Sequence, residues 1–243
     1  EGYCLFYVSA WVDAQTIVDV GILNVTEEEI KKNVEFNCSQ GWMQVQPHET
    51  NDFEVMILGG SPSLPEFEED IKRRRAEGVK LITLNGSYNW VLEHELIPSA
   101  QIIVDARAFN TRFTKPVVDN CKYLIASQCN PSVLEGLPKD RTFLWHPSAE
   151  STKEIINKYY DICWNIPGGS TVLLRAIPLM RMLGYRKFYI YGCDSCLKED
   201  IHHAYSQPEN DINIVIPVQV TGGRIFKCHS WMVSQAQEFI NLI

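Results

Sequence analysis

The chain has 243 residues, 45% apolar and 21% charged, which fits one globular domain with a sizeable core and excludes a disordered or fibrous protein. Its formal charge of -8 argues against nucleic-acid binding, because a phosphate backbone is held by lysines and arginines. The sequence has neither an apolar run of the ~20 residues that span a bilayer nor the basic-then-apolar start of a secretory signal, so we expect a cytoplasmic protein without a membrane span.

The first 50 residues predict little beyond one helix. Short apolar segments such as residues 3–8 precede Thr26, whose hydroxyl is suited to cap a helix that begins with Glu27. We therefore expect residues 1–50 to be an N-terminal extension of unknown role. Residues 51–243 are expected to form one Rossmann-like nucleotide-binding domain.

From residue 53 onward, short apolar runs rich in β-branched residues alternate with segments of helical length. Such runs are typical of parallel strands that are covered on both faces. The predicted strands are residues 54–58, 80–84, 101–104, 122–126, 142–145 and 187–191. The predicted helices between them are residues 66–77, 88–96 and 171–183. This alternation predicts an α/β, Rossmann-like fold, with a mostly parallel sheet and helices on both faces.

The C-terminal part departs from this alternation. Two apolar runs, residues 213–220 and 224–227, flank Thr221-Gly222-Gly223, which predicts a β-hairpin with a glycine turn. A final helix is predicted over residues 230–243.

The basic run at residues 72–75 follows an acidic stretch within the predicted helix 66–77. Opposite charges three or four residues apart on a helix pair with one another, so we expect a solvated, ion-paired face here. A phosphate-binding patch is not expected.

The predicted strand 54–58 runs into a glycine-rich loop, which is the strongest candidate for a phosphate site. The loop residues are Gly59, Gly60, Ser61, Pro62 and Ser63. Glycines allow a ligand to approach the backbone closely, and the helix that follows presents free N–H groups to an anion. The two serines add hydroxyl donors. The alternative is a plain turn between a strand and a helix.

Other predicted strands also end in small or polar residues, and in a parallel sheet these ends share one edge, where ligands bind. The residues are Asn85 and Gly86, then Asp105, then Gly192 and Asp194. Asp105 and Asp194 are candidates for binding Mg²⁺ or ribose hydroxyls, and Asp105 for a catalytic role. Helix capping or turn formation is the alternative for both.

A second helix start with small residues precedes the apolar helix 171–183. It consists of Gly168, Gly169, Ser170 and Thr171, and it is expected to contribute to nucleotide binding through its N–H groups. An ordinary N-cap is the alternative reading.

His202 and His203 lie in a polar segment shortly after Asp194. An imidazole titrates near neutral pH, so either histidine is a candidate general base in catalysis. The alternative is a pair of surface-loop histidines.

Taken in chain order, these motifs resemble the MptE-like family, which includes 6-hydroxymethylpterin diphosphokinase-like proteins and the motility-associated-factor proteins linked to flagellin glycosylation. The resemblance covers residues 53–205. Its motifs are the loop 59–64, the segment 98–105 that runs from Pro98 to Asp105, Gly168-Gly169-Ser170, Leu183-Gly184-Tyr185, Gly192-Cys193-Asp194 and a following His. The same order also resembles the bacterial CMP-sialic-acid-dependent sialyltransferases. The archaeal diphosphokinases have a His-Ala-His-Gly-Asp-Asn-like stretch, which His202-His203-Ala204-Tyr205 shares only in part.

The resemblance implies a nucleotide-dependent transferase, glycosyltransferase-like, with a nucleotide sugar of the CMP type as donor and an unidentified acceptor. One alternative is ATP-dependent pyrophosphoryl transfer, as in the 6-hydroxymethylpterin diphosphokinases, in which Asp105 and Asp194 would hold Mg²⁺. Another is a nucleotide-binding protein without turnover. A metal cofactor is therefore expected only if the donor is ATP.

Overall fold

A parallel sheet of eight strands is the centre of the part of the protein that the computed structural model describes, residues 25–210 and 214–242. The predicted apolar segment 3–8 lies outside those residues. The strands are β1 (Met43–Gln44), β2 (Glu54–Leu58), β3 (Lys80–Leu84), β4 (Ala100–Ile103), β5 (Lys122–Ala126), β6 (Thr142–Pro147), β7 (Asn165–Ile166) and β8 (Lys187–Tyr191). The helices are α1 (Glu27–Ser39), α2 (Glu68–Ala76), α3 (Ser87–Glu93), α4 (Glu150–Asn157), α5 (Val172–Met182) and α6 (Ser230–Leu242).

The strand order is β1-β6-β5-β4-β3-β2-β8, with β7 paired to β6, and every pairing in this sheet is parallel. From β2 the chain adds strands on one side as far as β6, and it then crosses back to place β8 on the other side of β2. The order therefore reverses between β2 and β8. Ligands bind at such a reversal in open α/β sheets.

Alternate residues of β2 point to opposite faces of the sheet, and both faces are covered by helices. Val55 and Ile57 pack in the hydrophobic cluster that includes Leu179 of α5. Met56 and Leu58 pack in the other cluster with Ile71 of α2. The parallel sheet with helices on both faces confirms the predicted Rossmann-like α/β fold. Burial on both faces also explains why the strands are almost continuously apolar.

The C-terminal prediction is confirmed as well. β9 (Val215–Gln219) and β10 (Ile225–His229) form an antiparallel hairpin, and α6 follows directly. None of the helices within residues 25–210 and 214–242 is long and apolar enough to cross a membrane.

Residues 25–50, the described part of the predicted N-terminal extension, join the main sheet. Thr26 Oγ1 accepts a hydrogen bond from the Glu29 amide at 3.2 Å, so the predicted cap of α1 is confirmed. β1 pairs with β6, and the Val45 amide donates to the Leu144 carbonyl at 2.8 Å. This segment therefore adds an edge strand and a helix to the Rossmann-like fold.

Three of the four basic residues 72–75 pair with acidic residues three or four positions away, as predicted, and Arg75 instead donates to backbone carbonyls and to Ser99 Oγ. Arg74 Nε donates to Asp70 Oδ2 at 2.9 Å, and Arg73 contacts both Asp70 and Glu77. The Tyr191 hydroxyl also donates to Asp70, and these bonds hold the pKa of Asp70 well below its ordinary value. The arginines are therefore engaged within the protein.

Candidate functional site

The loops that follow β2 (residues 59–63) and β8 (residues 192–194) pack against each other where the strand order reverses, and we call the sheet edge outside them the crevice. The Gly59 amide donates to the Tyr191 carbonyl at 2.9 Å, and the Ser61 amide donates to the Gly192 carbonyl at 2.9 Å. A β-carbon on Gly59 would overlap the Gly192 carbonyl and lie 2.7 Å from Cys193 Sγ. Glycine is therefore required at residue 59 because the two loops pack backbone against backbone.

Asp194 binds the start of the helical segment that follows the glycine-rich loop. Its carboxylate accepts hydrogen bonds from the Ser63 amide at 2.9 Å and from the Ser63 hydroxyl at 2.5 Å. Its own amide donates to Ser61 Oγ at 3.1 Å. Donors that we predicted for a phosphate thus bind an anionic side chain of the same protein, as expected for free N–H groups at this position. Pro62, between the two serines, is buried.

Tyr205 fills the space that two glycines leave open. A β-carbon on Gly60 would overlap the Tyr205 hydroxyl and lie 2.7 Å from Cζ, and a β-carbon on Gly86 would lie 2.7 Å from the same Cζ. Burial raises the pKa of Tyr205 well above its ordinary value. The side of Gly60 where we predicted a ligand to approach is therefore occupied by a side chain of the protein, and the same ring lies against Gly86.

Asn85 and Asp105 lie at the ends of β3 and β4, on the same edge of the sheet. Asn85 adopts a left-handed conformation (φ 48°), and its carbonyl accepts a hydrogen bond from Gln101 Nε2 at 2.8 Å. The Asn85 side-chain oxygen is buried and has no hydrogen-bond partner within the described residues. Asp105 accepts from Arg107 Nε and Nη2 at 2.9 and 2.6 Å and from the Arg107 amide at 2.9 Å, so its carboxylate forms a local turn and ion pair.

The structure does not bring Asp105 and Asp194 into one metal site. They follow β4 and β8, which are separated by β3 and β2. β4 and β8 are three positions apart in the sheet, roughly 14 Å at a strand spacing of about 4.8 Å, whereas ligands of one Mg²⁺ lie about 2 Å from the ion. Within residues 25–210 and 214–242, no group of three or more His, Cys, Asp or Glu side chains is arranged to hold a metal ion. A role for Asp105 and Asp194 in binding Mg²⁺ stays a prediction that applies only if the donor is ATP.

The second predicted helix start also binds a carboxylate of this protein. Glu238 Oε2 of α6 accepts from the Ser170 amide at 2.9 Å and from the Ser170 hydroxyl at 2.7 Å. A β-carbon on Gly169 would lie 2.9 Å from Glu238 Cδ, and Gly168 has a φ of +137°, which favours glycine. Thr171 Oγ1 caps α5 by accepting from the Leu174 amide at 3.3 Å. The loop is thus an N-cap with an anion bound beside it.

His202 and His203 are adjacent to the crevice and line a cavity of about 230 Å³ with Asp200 and Gln207. The Nδ1 atoms of the two histidines contact each other, and the His203 ring lies 5.6 Å from the Tyr205 ring. Gln207 is buried, and its side-chain oxygen has no hydrogen-bond partner among the described residues. The cavity therefore offers imidazole groups to a polar ligand.

Sequence reasoning missed several residues that shape this site. Tyr205 was visible beside the histidines but received no role, and Glu238 lay in a helix with no motif. His229, the last residue of β10, lies with its ring 6.1 Å from that of His202, and burial lowers the pKa of His229. Arg112 and Glu209 form an ion pair with N–O distances of 2.8 and 2.9 Å.

The fold and this crevice define a Rossmann-like α/β protein with a glycine-rich loop at its switch point. Residues 28–200 match the family model described as "6-hydroxymethylpterin diphosphokinase MptE-like". The match covers well over half of the chain, so the protein belongs to the MptE-like family, as its motifs predicted.

One solved structure with a similar fold is that of the MAf glycosyltransferase from Magnetospirillum magneticum AMB-1, with a TM-score of 0.70 and 16% sequence identity. The similarity covers 93% of this chain and 35% of that chain, so this chain spans about a third of the length of that protein. At this identity the likeness establishes the fold. The sequence matches no curated protein.

Proposed function

We propose that the protein is a nucleotide-dependent transferase, glycosyltransferase-like, that binds a nucleotide sugar of the CMP type in the crevice between β2 and β8. The observation that carries this proposal is the convergence of the loop 59–63, the turn at Gly192 and the histidine-bearing segment at the switch point. The family model and the similar structure both bear the names of transferases, which supports the class.

The phosphate of the donor is proposed to bind at the loop 59–63, with Asn85, Gly86, Gly192 and Asp194 around the nucleotide. Ser63 already binds a carboxylate through its amide and hydroxyl, which supports anion binding at this loop. Ser170 does the same with Glu238, so residues 168–171 remain a proposed part of the nucleotide site. Fixed N–H donors of this kind stabilise the charge that develops on a leaving phosphate.

The acceptor is proposed to bind in the cavity beside His202 and His203. In this reaction an acceptor hydroxyl attacks the anomeric carbon of the donor, and the bond between that carbon and the phosphate oxygen breaks. The nucleotide leaves with the electron pair, and one imidazole takes the hydroxyl proton. Asp105 is the other proposed catalytic residue, and it acts at the same edge of the sheet.

ATP-dependent pyrophosphoryl transfer is the second candidate function, because the family model names a diphosphokinase. That reaction uses Mg²⁺, which can bind through one carboxylate together with the phosphates of the nucleotide. Asp194, next to the loop 59–63, fits such a role better than Asp105, whose carboxylate is engaged by Arg107. The third alternative is a protein that binds a nucleotide but does not catalyse a reaction.

A thermal-shift panel tests these functions with CMP, CDP, UDP, ATP and a CMP-sugar, each with Mg²⁺ and with EDTA. A true ligand at 100 times its Kd stabilises the protein by about 2.7 kcal/mol, which raises Tm by roughly 5–10 °C in a domain of this size. A shift with CMP ligands that persists in EDTA supports the glycosyltransferase. A shift with ATP only in Mg²⁺ supports the diphosphokinase, and no shift with any nucleotide contradicts both.

A further inference from the structure

Residues 200–209 fold over the crevice, and several contacts bind them to the loops around it. The Ala204 amide donates to the Gly60 carbonyl at 2.8 Å. The Tyr205 ring packs against Gly60 and Gly86. At the far end of the segment, Glu209 forms its bidentate ion pair with Arg112. We call this segment the lid.

Arg112 is held in place from the sheet side, independently of the lid. It lies in a 3₁₀ turn (Ala108–Thr114) after β4, and its carbonyl accepts a hydrogen bond from Asn89 Nδ2 at 3.3 Å. Its guanidinium lies 4.9 Å from the centroid of the Phe109 ring and 4.8 Å from that of Phe113. These contacts hold Arg112 independently of Glu209.

The closed lid blocks the proposed nucleotide site. Tyr205 occupies the side of Gly60 and Gly86 on which a β-carbon would project, and the Gly60 carbonyl is bonded to Ala204, so a ligand cannot reach the backbone from this side. It can do so only after Tyr205 has moved away. A phosphate on this side of the loop therefore requires the lid to open.

Opening the lid would also release the Arg112 guanidinium from Glu209. A guanidinium binds carboxylate and phosphate with the same bidentate geometry, so the arginine that holds the lid is suited to accept a phosphate in its place. It lies at the edge of the sheet where the ligand is expected, close enough to Tyr205 that its positive charge partly opposes the rise in the Tyr205 pKa that burial causes.

We propose that residues 200–209 form a self-inhibiting lid latched by the Arg112–Glu209 pair, and that Arg112 binds the phosphate of the nucleotide once the lid has opened. The second half of this proposal rests on the proposed function, because it requires a nucleotide ligand. The first half concerns the protein alone.

Hydrogen exchange of the Ala204 amide, without any ligand, tests the latch. Glu209→Gln keeps the size of the side chain and removes its charge, so the lid should open more often and the amide should exchange about 5-fold faster. Glu77→Gln is the matched control, because it breaks another exposed Arg–Glu pair, that with Arg73 on α2. Equal exchange in Glu209→Gln and the parent would overturn the latch.

Titration with CMP tests the role of Arg112. If the lid competes with the ligand, Glu209→Gln should bind CMP about 5-fold more tightly than the parent. If Arg112 also binds phosphate, Arg112→Ala should bind CMP about 10-fold more weakly than Glu209→Gln, although both substitutions break the latch. Equal affinity in these two variants would overturn the phosphate-binding role.

The exchange and titration experiments together separate this inference from the proposed function. If Glu209→Gln exchanges faster but no variant binds CMP or ATP, the latch is supported. The nucleotide function and the role of Arg112 are then both contradicted. Weaker CMP binding by Tyr205→Ala than by the parent would instead mean that Tyr205 contacts the ligand, and it would overturn the self-inhibiting lid.

Discussion

A β-carbon on Gly60 would lie 2.7 Å from Tyr205 Cζ, so the two residues are sterically coupled although 145 positions separate them in the chain. A glycine at the end of the first strand of a Rossmann-like sheet ordinarily indicates room for a phosphate. Here the same room is occupied by a tyrosine ring of the protein. A substitution at Gly60 therefore affects the packing of residues 200–209 as well as any ligand.

Gly60→Ala should destabilise the parent by about 1–3 kcal/mol, because the new methyl group forces the Tyr205 ring out of its contact. In a Tyr205→Ala background the same substitution should have less effect, since the ring is gone. Urea unfolding of the four proteins gives the coupling free energy, which we expect to be about 1–2 kcal/mol. Additive effects would show that the ring is not what excludes a side chain at residue 60.

A larger substitution at Gly60 tests the nucleotide site. Gly60→Val should abolish nucleotide binding, because its branched side chain covers the backbone to which the phosphate is proposed to bind. The protein should remain folded, as judged by far-UV circular dichroism. Parental affinity in the folded variant would remove the loop 59–63 from the proposed site.

Asp194→Asn should lower stability by about 1–2 kcal/mol, because a carboxylate that accepts two hydrogen bonds from Ser63 is replaced by a neutral amide. It should also weaken nucleotide binding by loosening the proposed phosphate loop, equally with Mg²⁺ and with EDTA if the donor is a CMP-sugar. Asp119→Asn is the matched control, because the Asp119 side chain is 94% exposed and its ion pair with Arg141 is long, at 3.4 Å. Weakening in Mg²⁺ alone would favour the ATP-dependent alternative.

Replacing His202 or His203 with Ala should lower turnover by ~10²–10⁴-fold in the variant that lacks the general base, while nucleotide affinity changes little. His48→Ala, at an exposed position, is the control. If both variants keep the parental turnover, neither histidine is the base.

His146 should make the stability of the protein depend on pH. It is 1% exposed on β6, its ring lies 5.3 Å from that of Tyr160, and burial lowers its pKa to about 4. Below pH ~6.5 the unfolded chain binds a proton that the folded protein excludes, so stability should fall by about 2 kcal/mol between pH 7 and pH 5.

The pH effect of His146 is measured by urea unfolding at pH 7 and pH 5. His146→Leu should lose this component of the pH dependence, because no buried imidazole remains to be protonated. His48→Gln should keep it. An equal loss of stability at pH 5 in the parent and in His146→Leu would assign the effect to other groups.

The sequence by itself was sufficient for the local elements of the sheet. The runs at 54–58, 80–84, 122–126 and 187–191 match β2, β3, β5 and β8 at both ends, because each is an apolar, β-branched stretch bounded by residues that break strands. The predicted strand 101–104 begins one residue earlier, at Ala100, whose register against Ile82 is set by the neighbouring strand. The motifs, read in order, also determined the family.

Only the tertiary structure decided which of the candidate residues meet. Asp105 and Asp194 both follow strands, but their separation depends on the strand order, which no local pattern encodes. Asp194 meets Ser63, Glu238 meets Ser170 and Glu209 meets Arg112 across 131, 68 and 97 positions of the chain. Such contacts depend on how the crossovers and the C-terminal hairpin return to the sheet edge. Propensity and periodicity act over a few residues, so they predict that a helix start can bind an anion but not which anion binds it.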